Sequence, residues 1–131
     1  MFEKIQPVHY LIGIAVIVVG VVGLLAIAKD RQPGEYDELA ACLTEKGVKF
    51  YGAFWCPHCQ EQKRMFGNSA SKLPYVECST PDGKSQTQIC SDLEIKSYPT
   101  WIFADESRLT GAIPLLDLAN KVGCELPAKT E

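Results

Sequence analysis

Two thiols stand two residues apart in Trp55-Cys56-Pro57-His58-Cys59, where an apolar run gives way to a polar, helix-like one. At this spacing, with the first cysteine at a helix start, a small disulfide can close with little backbone movement. The N-terminal end of a helix carries partial positive charge and free N–H groups, so it favours the thiolate of Cys56 over the thiol. Cys56 is therefore the expected attacking sulfur and a good leaving group. Cys59, one turn further on and facing inward, is the expected resolving thiol, which attacks a mixed disulfide held at Cys56. Pro57 suits the first helical turn, where its missing N–H is no loss. His58 brings donors and positive charge beside the sulfurs, which stabilises the reduced form and pushes the pair toward being an oxidant.

The same spacing serves zinc and copper sites. A zinc site calls for a second close pair, yet Cys42, Cys78, Cys90 and Cys124 stand far apart, so no metal is expected. Cys78 and Cys90 enclose eleven residues around the turn Pro81-Asp82-Gly83. They read as a structural disulfide worth about 3 kcal/mol on the chain-entropy account, with a relay of oxidising equivalents to Cys56 and Cys59 as the sharper alternative. Cys42 and Cys124 are expected to pair and close the two ends of the domain, although spacing alone fixes no connectivity.

The elements that must position these residues follow from periodicity. Residues 35–46 carry Leu39, Ala40 and Leu43 at helical spacing, ended by Gly47. Residues 48–54 are almost continuously apolar, as for a central strand covered on both faces. The helix bearing the thiols runs from Cys56 to Phe66 and stops at Gly67-Asn68. Cys59 and Phe66 lie on its inner face, while Gln60, Glu61, Lys63 and Arg64 read as a solvated face; proton transfer from Glu61 or Lys63 to Cys59 is a minor reading. A short strand 75–78, a turn 79–85 and a helix 86–93 follow. Tyr98-Pro99 leads into a strand 100–103 whose Trp101 reads as core or cleft wall. An edge strand 108–113 and a helix begun by Pro114 and ended by Gly123 complete the order.

The 131 residues, 47 % hydrophobic, suffice for one domain of residues 35–125 and an extra segment. A net charge of −3 without a clustered basic surface argues against nucleic acid. The extra segment is 8–28, uncharged throughout. Its twenty-one residues reach about 31 Å as a helix, enough for a hydrocarbon core of roughly 30 Å. A transmembrane anchor is expected between a short tail 1–7 and a linker 29–34, with a loose tail at 126–131. A cleaved signal peptide ending at Ala26-Ile27-Ala28 is the competing reading, but the apolar stretch is long and the start barely basic. Flanking charges are nearly balanced, so six cysteines, which suit an oxidising compartment, decide the orientation. The N-terminus is expected in the cytoplasm and the redox domain outside the cell membrane.

The stretch from Phe50 to Cys59, together with 75–78, Cys90 and Ser97-Tyr98-Pro99-Thr100-Trp101, resembles the thioredoxin-like superfamily over residues 35–124. It is most similar to the thioredoxin-like domain fused to bacterial homologues of vitamin K epoxide reductase, and the CPHC tetrapeptide resembles that of the periplasmic disulfide oxidase DsbA. The resemblance implies an α/β thioredoxin fold, a central mixed sheet flanked by helices, with a cis peptide at Pro99. It implies a catalytic set of Cys56, Cys59, His58 and Pro57, and a partner chain guided by Trp55, Tyr98 and Pro99. No cofactor is implied. Two features depart from the family. The four-helix quinone-reducing domain has no counterpart in these residues, which makes a separate VKOR-like membrane protein the expected reoxidant. The buried Asp of ordinary thioredoxins, six residues before the first cysteine, is Phe50. The expected function is a membrane-anchored thiol-disulfide oxidoreductase acting on exported proteins. The alternatives are a tethered reductase fed by a transmembrane electron carrier and a copper- or zinc-binding CxxC domain.

Overall fold

A computed structural model describes residues 7–30 and 32–128 of the chain. Most of the expected tail 1–7, Arg31 of the expected linker and the last three residues of the expected tail 126–131 lie outside the described residues. The chain divides into two units, residues 1–32 and 33–131.

The first unit is helix α1, Pro7–Asp30. Its Pro7–Ala28 stretch is long and apolar enough to cross a membrane. The described side chains are exposed and apolar on every side, the composition of a helix whose solvent is lipid rather than water. A membrane anchor and a signal sequence both meet this description. The helix passes the expected end at Ala28 by two residues.

The second unit is a four-stranded sheet in the order β2-β1-β3-β4. Helix α2, Asp37–Glu45, comes first and buries Leu39, Ala40 and Leu43. Strand β1, Lys49–Gly52, then occupies the centre. It pairs in parallel with β2, Tyr75–Glu77, and antiparallel with β3, Thr100–Ile102. Strand β4, Arg108–Thr110, closes the antiparallel side. Between β1 and β2 lie α3, Pro57–Phe66, and a 3-10 turn, Gly67–Lys72. Helix α4 is Gln88–Asp92 and α5 is Leu115–Val122. This is the expected mixed sheet flanked by helices.

Successive residues of a strand face opposite sides of a sheet, and β1 uses both. Phe50 enters the larger core with Leu39, Leu43, Phe66, Trp101 and Leu118. Tyr51 enters a smaller one with Cys78, Cys90 and Ile95. Phe50 and Trp101 are register partners on β1 and β3, and their rings stack with centroids 4.5 Å apart.

Several elements are shorter than the sequence implies, each for a local reason. Strand β1 ends at Gly52 rather than Phe54, because the chain turns there: the Cys56 N–H donates to the Ala53 carbonyl and the Phe54 N–H to Glu77. Strand β4 ends at Thr110 because Gly111, at φ +92°, turns the chain and donates its N–H to the Pro99 carbonyl. Residues 86 and 87 do not join α4; Gln86 bridges to Ser79 and Thr87 donates its N–H to the Cys78 carbonyl. Two expected boundaries also move. Gly34, assigned to the linker, packs against Ser69, and Leu126, assigned to the loose tail, packs on the larger core.

Cys42 on α2 is bonded to Cys124, 82 residues away, with Cα atoms 6.1 Å apart. Gly123, in the left-handed conformation at φ +72°, ends α5 and turns Cys124 back toward α2. A bond enclosing so much of the domain restricts the unfolded chain strongly. Replacing the pair (Cys42→Ala with Cys124→Ala) is expected to lower unfolding free energy by about 2–4 kcal/mol, read as an earlier urea midpoint for the full chain in detergent.

Candidate active site

Cys56 occupies the cap position of α3 with extended backbone, φ −77° and ψ 121°, and Pro57 begins the helix proper. The helix presents its first free N–H groups toward this end. Cys59, Gln62 and Phe66 form the buried stripe at spacings of three and four, so packing Phe66 into the core carries Cys59 beneath Cys56. Both cysteines are free thiols. Cys56 is 5 % exposed and Cys59 only 1 %.

The approach of α3 to the sheet is set by Gly52. A Cβ there would meet Cys59 Sγ at 2.8 Å and Tyr75 Cε2 at 2.9 Å, closer than carbon atoms tolerate. The missing side chain is what lets Cys59 settle on β1. In that dry position the thiol of Cys59 is pushed up to about 12, by burial above all and then by the neighbouring Cys56. At neutral pH it keeps its proton.

Across from the thiols, the Tyr98–Pro99 peptide is cis and the Pro99 ring is buried. The Cys56 thiol donates to the Tyr98 carbonyl over 3.6 Å. The cleft wall is aromatic. Trp55, half exposed, meets Tyr98 edge to face with centroids 5.9 Å apart. The segment closed by Cys78–Cys90 supports both rings: Trp55 Nε1 donates to Ser79 Oγ at 3.0 Å, and Gln86 Nε2 donates to the Tyr98 hydroxyl at 2.7 Å. Cys78 and Cys90 are fully buried.

The fold thus gathers Trp55, Cys56, Pro57, Cys59, Tyr98 and Pro99 at one place. His58 is different. Its ring is exposed with Nδ1 3.6 Å from Glu61 Oε2, and among the described residues no hydrogen bond joins it to either sulfur. The expected contact beside the sulfurs is therefore not made, because position 58 points outward from the helix start. Lys63 does not belong to the solvated face: it is half-buried, its Nζ 3.5 Å from the centroid of the Tyr75 ring.

Two residues escaped the sequence reading. Gln62 is fully buried, donating through Nε2 to the Ile113 carbonyl and accepting the Ile113 N–H. Its spacing from Cys59 and Phe66 could have revealed it. Glu77 accepts hydrogen bonds from the Tyr75 hydroxyl and from the N–H groups of Phe54 and Ser79. No periodic signal marks it, since β2 has only three residues.

A buried dithiol at a helix start, opposite a cis-proline, on a mixed sheet suggests one family. Residues 33–122 match the family described as thioredoxin. The chain belongs to the thioredoxin family. Relatives agree with this membership. Thiol-disulfide oxidoreductase LTO1 of Arabidopsis thaliana is 50 % identical over 98 residues, covering 71 % of this chain and 26 % of that protein. A thioredoxin domain-containing protein 5 homolog of Drosophila melanogaster is 36 % identical over 64 residues, 47 % of this chain and 15 % of its own length. A probable protein disulfide-isomerase ER-60 of Schistosoma mansoni is 33 % identical over 86 residues, 59 % of this chain and 16 % of its own. The chain spans about a quarter or less of these relatives. A thiol-disulfide redox function for this thioredoxin-family domain is supported by these matches.

Two outcomes test this geometry. Treating the native reduced chain with iodoacetamide at pH 7 should add one group, mapped by mass to Cys56. Cys59 should label only on unfolding or as pH rises from about 9 toward about 12, where its thiol ionises. Gly52→Ala should destabilise the domain by about 1–3 kcal/mol and raise the labelling of Cys59, because the added carbon pushes α3 off β1.

Proposed function

We propose that the chain is a membrane-anchored thiol-disulfide oxidoreductase that forms or exchanges disulfides in exported proteins. The observation that carries this reading is the pairing of unequal thiols: Cys56 at the helix cap beneath the Tyr98 carbonyl, and Cys59 held protonated behind it. In the oxidising direction a partner thiolate attacks Cys56 of the Cys56–Cys59 disulfide. Cys59 leaves, and a second partner thiol then attacks the partner sulfur of the mixed disulfide and releases Cys56. In the reducing direction Cys56 attacks a partner disulfide and Cys59 resolves it. Tyr98, Pro99 and Trp55 offer backbone and ring surface to the partner chain.

The anchor and its compartment rest on other observations. Helix α1 has the length and composition of a span, and the two further disulfides, Cys42–Cys124 and Cys78–Cys90, suit an oxidising compartment. These observations support a reading in which the domain lies outside the cell membrane and the N-terminus in the cytoplasm. A VKOR-like membrane protein is the proposed reoxidant, on the resemblance of the motifs alone. His58, exposed at the helix start with Nδ1 3.6 Å from Glu61, is proposed to tune the pair without a bond to sulfur.

The reduction potential of Cys56/Cys59 in the full chain, equilibrated with glutathione buffers in detergent, tests the direction. A value between about −120 and −200 mV is expected, the range of dedicated oxidants and isomerases, and His58→Ser should lower it by tens of millivolts. A value near about −270 mV, that of a thioredoxin reductant, would overturn the oxidising direction and favour a tethered reductase.

A further inference from the structure

Cys59 poses a difficulty for the chemistry just proposed, on which this inference rests. A resolving sulfur must attack as an anion, yet Cys59 is 1 % exposed and its thiol is pushed up to about 12 by burial. The value of about 12 already includes what the groups around Cys59 do for the thiolate, and without them the thiol would be a weaker acid still. Phe50, on β1 six residues before Cys56, is stacked on Trp101 and offers no titratable group.

The groups facing Cys59 come from few elements. Helix α3 supplies Cys56 and Lys63. Strand β2 supplies Tyr75, with Glu77 behind it. Strand β1 contributes the bare backbone of Gly52, the turn after it a backbone hydrogen bond from Ala53 to the Cys59 thiol, and the segment before β3 the Tyr98 carbonyl, directed at Cys56. Among the described residues, Lys63 is therefore the cation of this group.

Its position is built rather than incidental. Lys63 follows Cys59 by four residues, so the two side chains share one helix face. Its ammonium lies 3.5 Å from the Tyr75 ring centroid, where the negative face of the ring attracts it. That ring lies beside Cys59, since one carbon on Gly52 would touch both Cys59 Sγ and Tyr75 Cε2. The ring in turn is fixed. The Tyr75 hydroxyl donates to Glu77 Oε2 at 2.7 Å, and Glu77 Oε1 accepts the N–H groups of Ser79 at 2.9 Å and Phe54 at 3.2 Å. Burial first, and then Glu77, hold the Tyr75 hydroxyl well above its ordinary range, so the platform stays neutral.

We propose that Lys63, held over the Tyr75 ring, is the positioning charge that lets buried Cys59 act as the resolving and leaving sulfur. Cys59 gives its proton to water, and the ammonium stabilises the thiolate. The thiolate attacks the Cys56 sulfur of the mixed disulfide. The Cys59–Cys56 bond forms, the bond from Cys56 to the partner breaks, and the partner sulfur leaves as a thiolate that takes a proton from water. The two thiols of the chain are oxidised by two electrons and the partner disulfide is reduced by two. Run backward, the same charge favours departure of Cys59.

Rapid acid quenching with mass analysis tests this on the full chain in detergent, with glutathione disulfide as oxidant. The reduced chain should first gain glutathione at Cys56 and then lose it as the internal disulfide closes. In Lys63→Met the first step should keep its rate, while the second slows on the order of tenfold at pH 7. Its pH profile should move to higher pH, because the uncompensated thiol ionises later. Lys63→Arg should retain most of the wild-type rate. An unchanged second step and pH profile in Lys63→Met would overturn the proposal, as would an arginine variant as slow as the methionine one. Equal slowing of both steps would mark a general distortion and count against it too. A wild-type chain that never takes glutathione at Cys56 would overturn the oxidoreductase reading itself, and this inference with it.

Discussion

A sulfur atom must be kept out of water and still lie beside a second, slightly less buried sulfur at the helix start. Most of the domain serves that constraint. Cys59 is dry because Phe66 anchors α3 in the core and because Gly52 leaves no carbon between helix and strand. Gln62, on the same buried stripe, locks the helix through paired hydrogen bonds to Ile113. Burial makes Cys59 a poor acid, and that separates the roles of two chemically identical side chains. Desolvation, rather than residue type, assigns the inner sulfur its place in the sequence of events.

Much of this was legible in the chain. The CxxC spacing, the apolar run before it and Tyr98-Pro99 some forty residues later placed the thiols, the central strand and the proline-led strand where the structure has them. Helix ends marked by Gly47 and Gly123 were also readable, since both take positive φ. What stayed hidden depends on contacts distant in sequence. Lys63 looks like any exposed helix cation until Tyr75, twelve residues on, is brought beneath it. Glu77 has three donors from three different residues, a convergence that no local pattern encodes. His58 erred the other way: adjacency to the sulfurs in sequence suggested contact, but one step along a helix is a turn of about 100°.

The core around Phe50 and the edge of that core differ in kind. Phe50 stacks on Trp101, so this part of the larger core carries no desolvation cost of a buried charge. The polar groups near the inner thiol lie at the edge of that core, on β2 and α3, where Glu77 and Lys63 each find partners without full burial. Around Phe50 the sheet centre carries no charged side chain among the described residues, and its polar exception is the buried Trp101 Nε1, which has no hydrogen-bond partner there.

The segment between Cys78 and Cys90 is joined at its base by a buried disulfide, and its tip at Gly83 lies against Phe54 and Trp55. Only its two ends take part in the smaller core, through Cys78 and Cys90. Residues 80–85 form one rim of the cleft while contributing nothing to either core. Such a rim is modular: its shape and charge can vary between descendants of the chain while the sulfur chemistry beneath is inherited intact. Drift in partner preference would then accumulate there first, ahead of any change at the thiols.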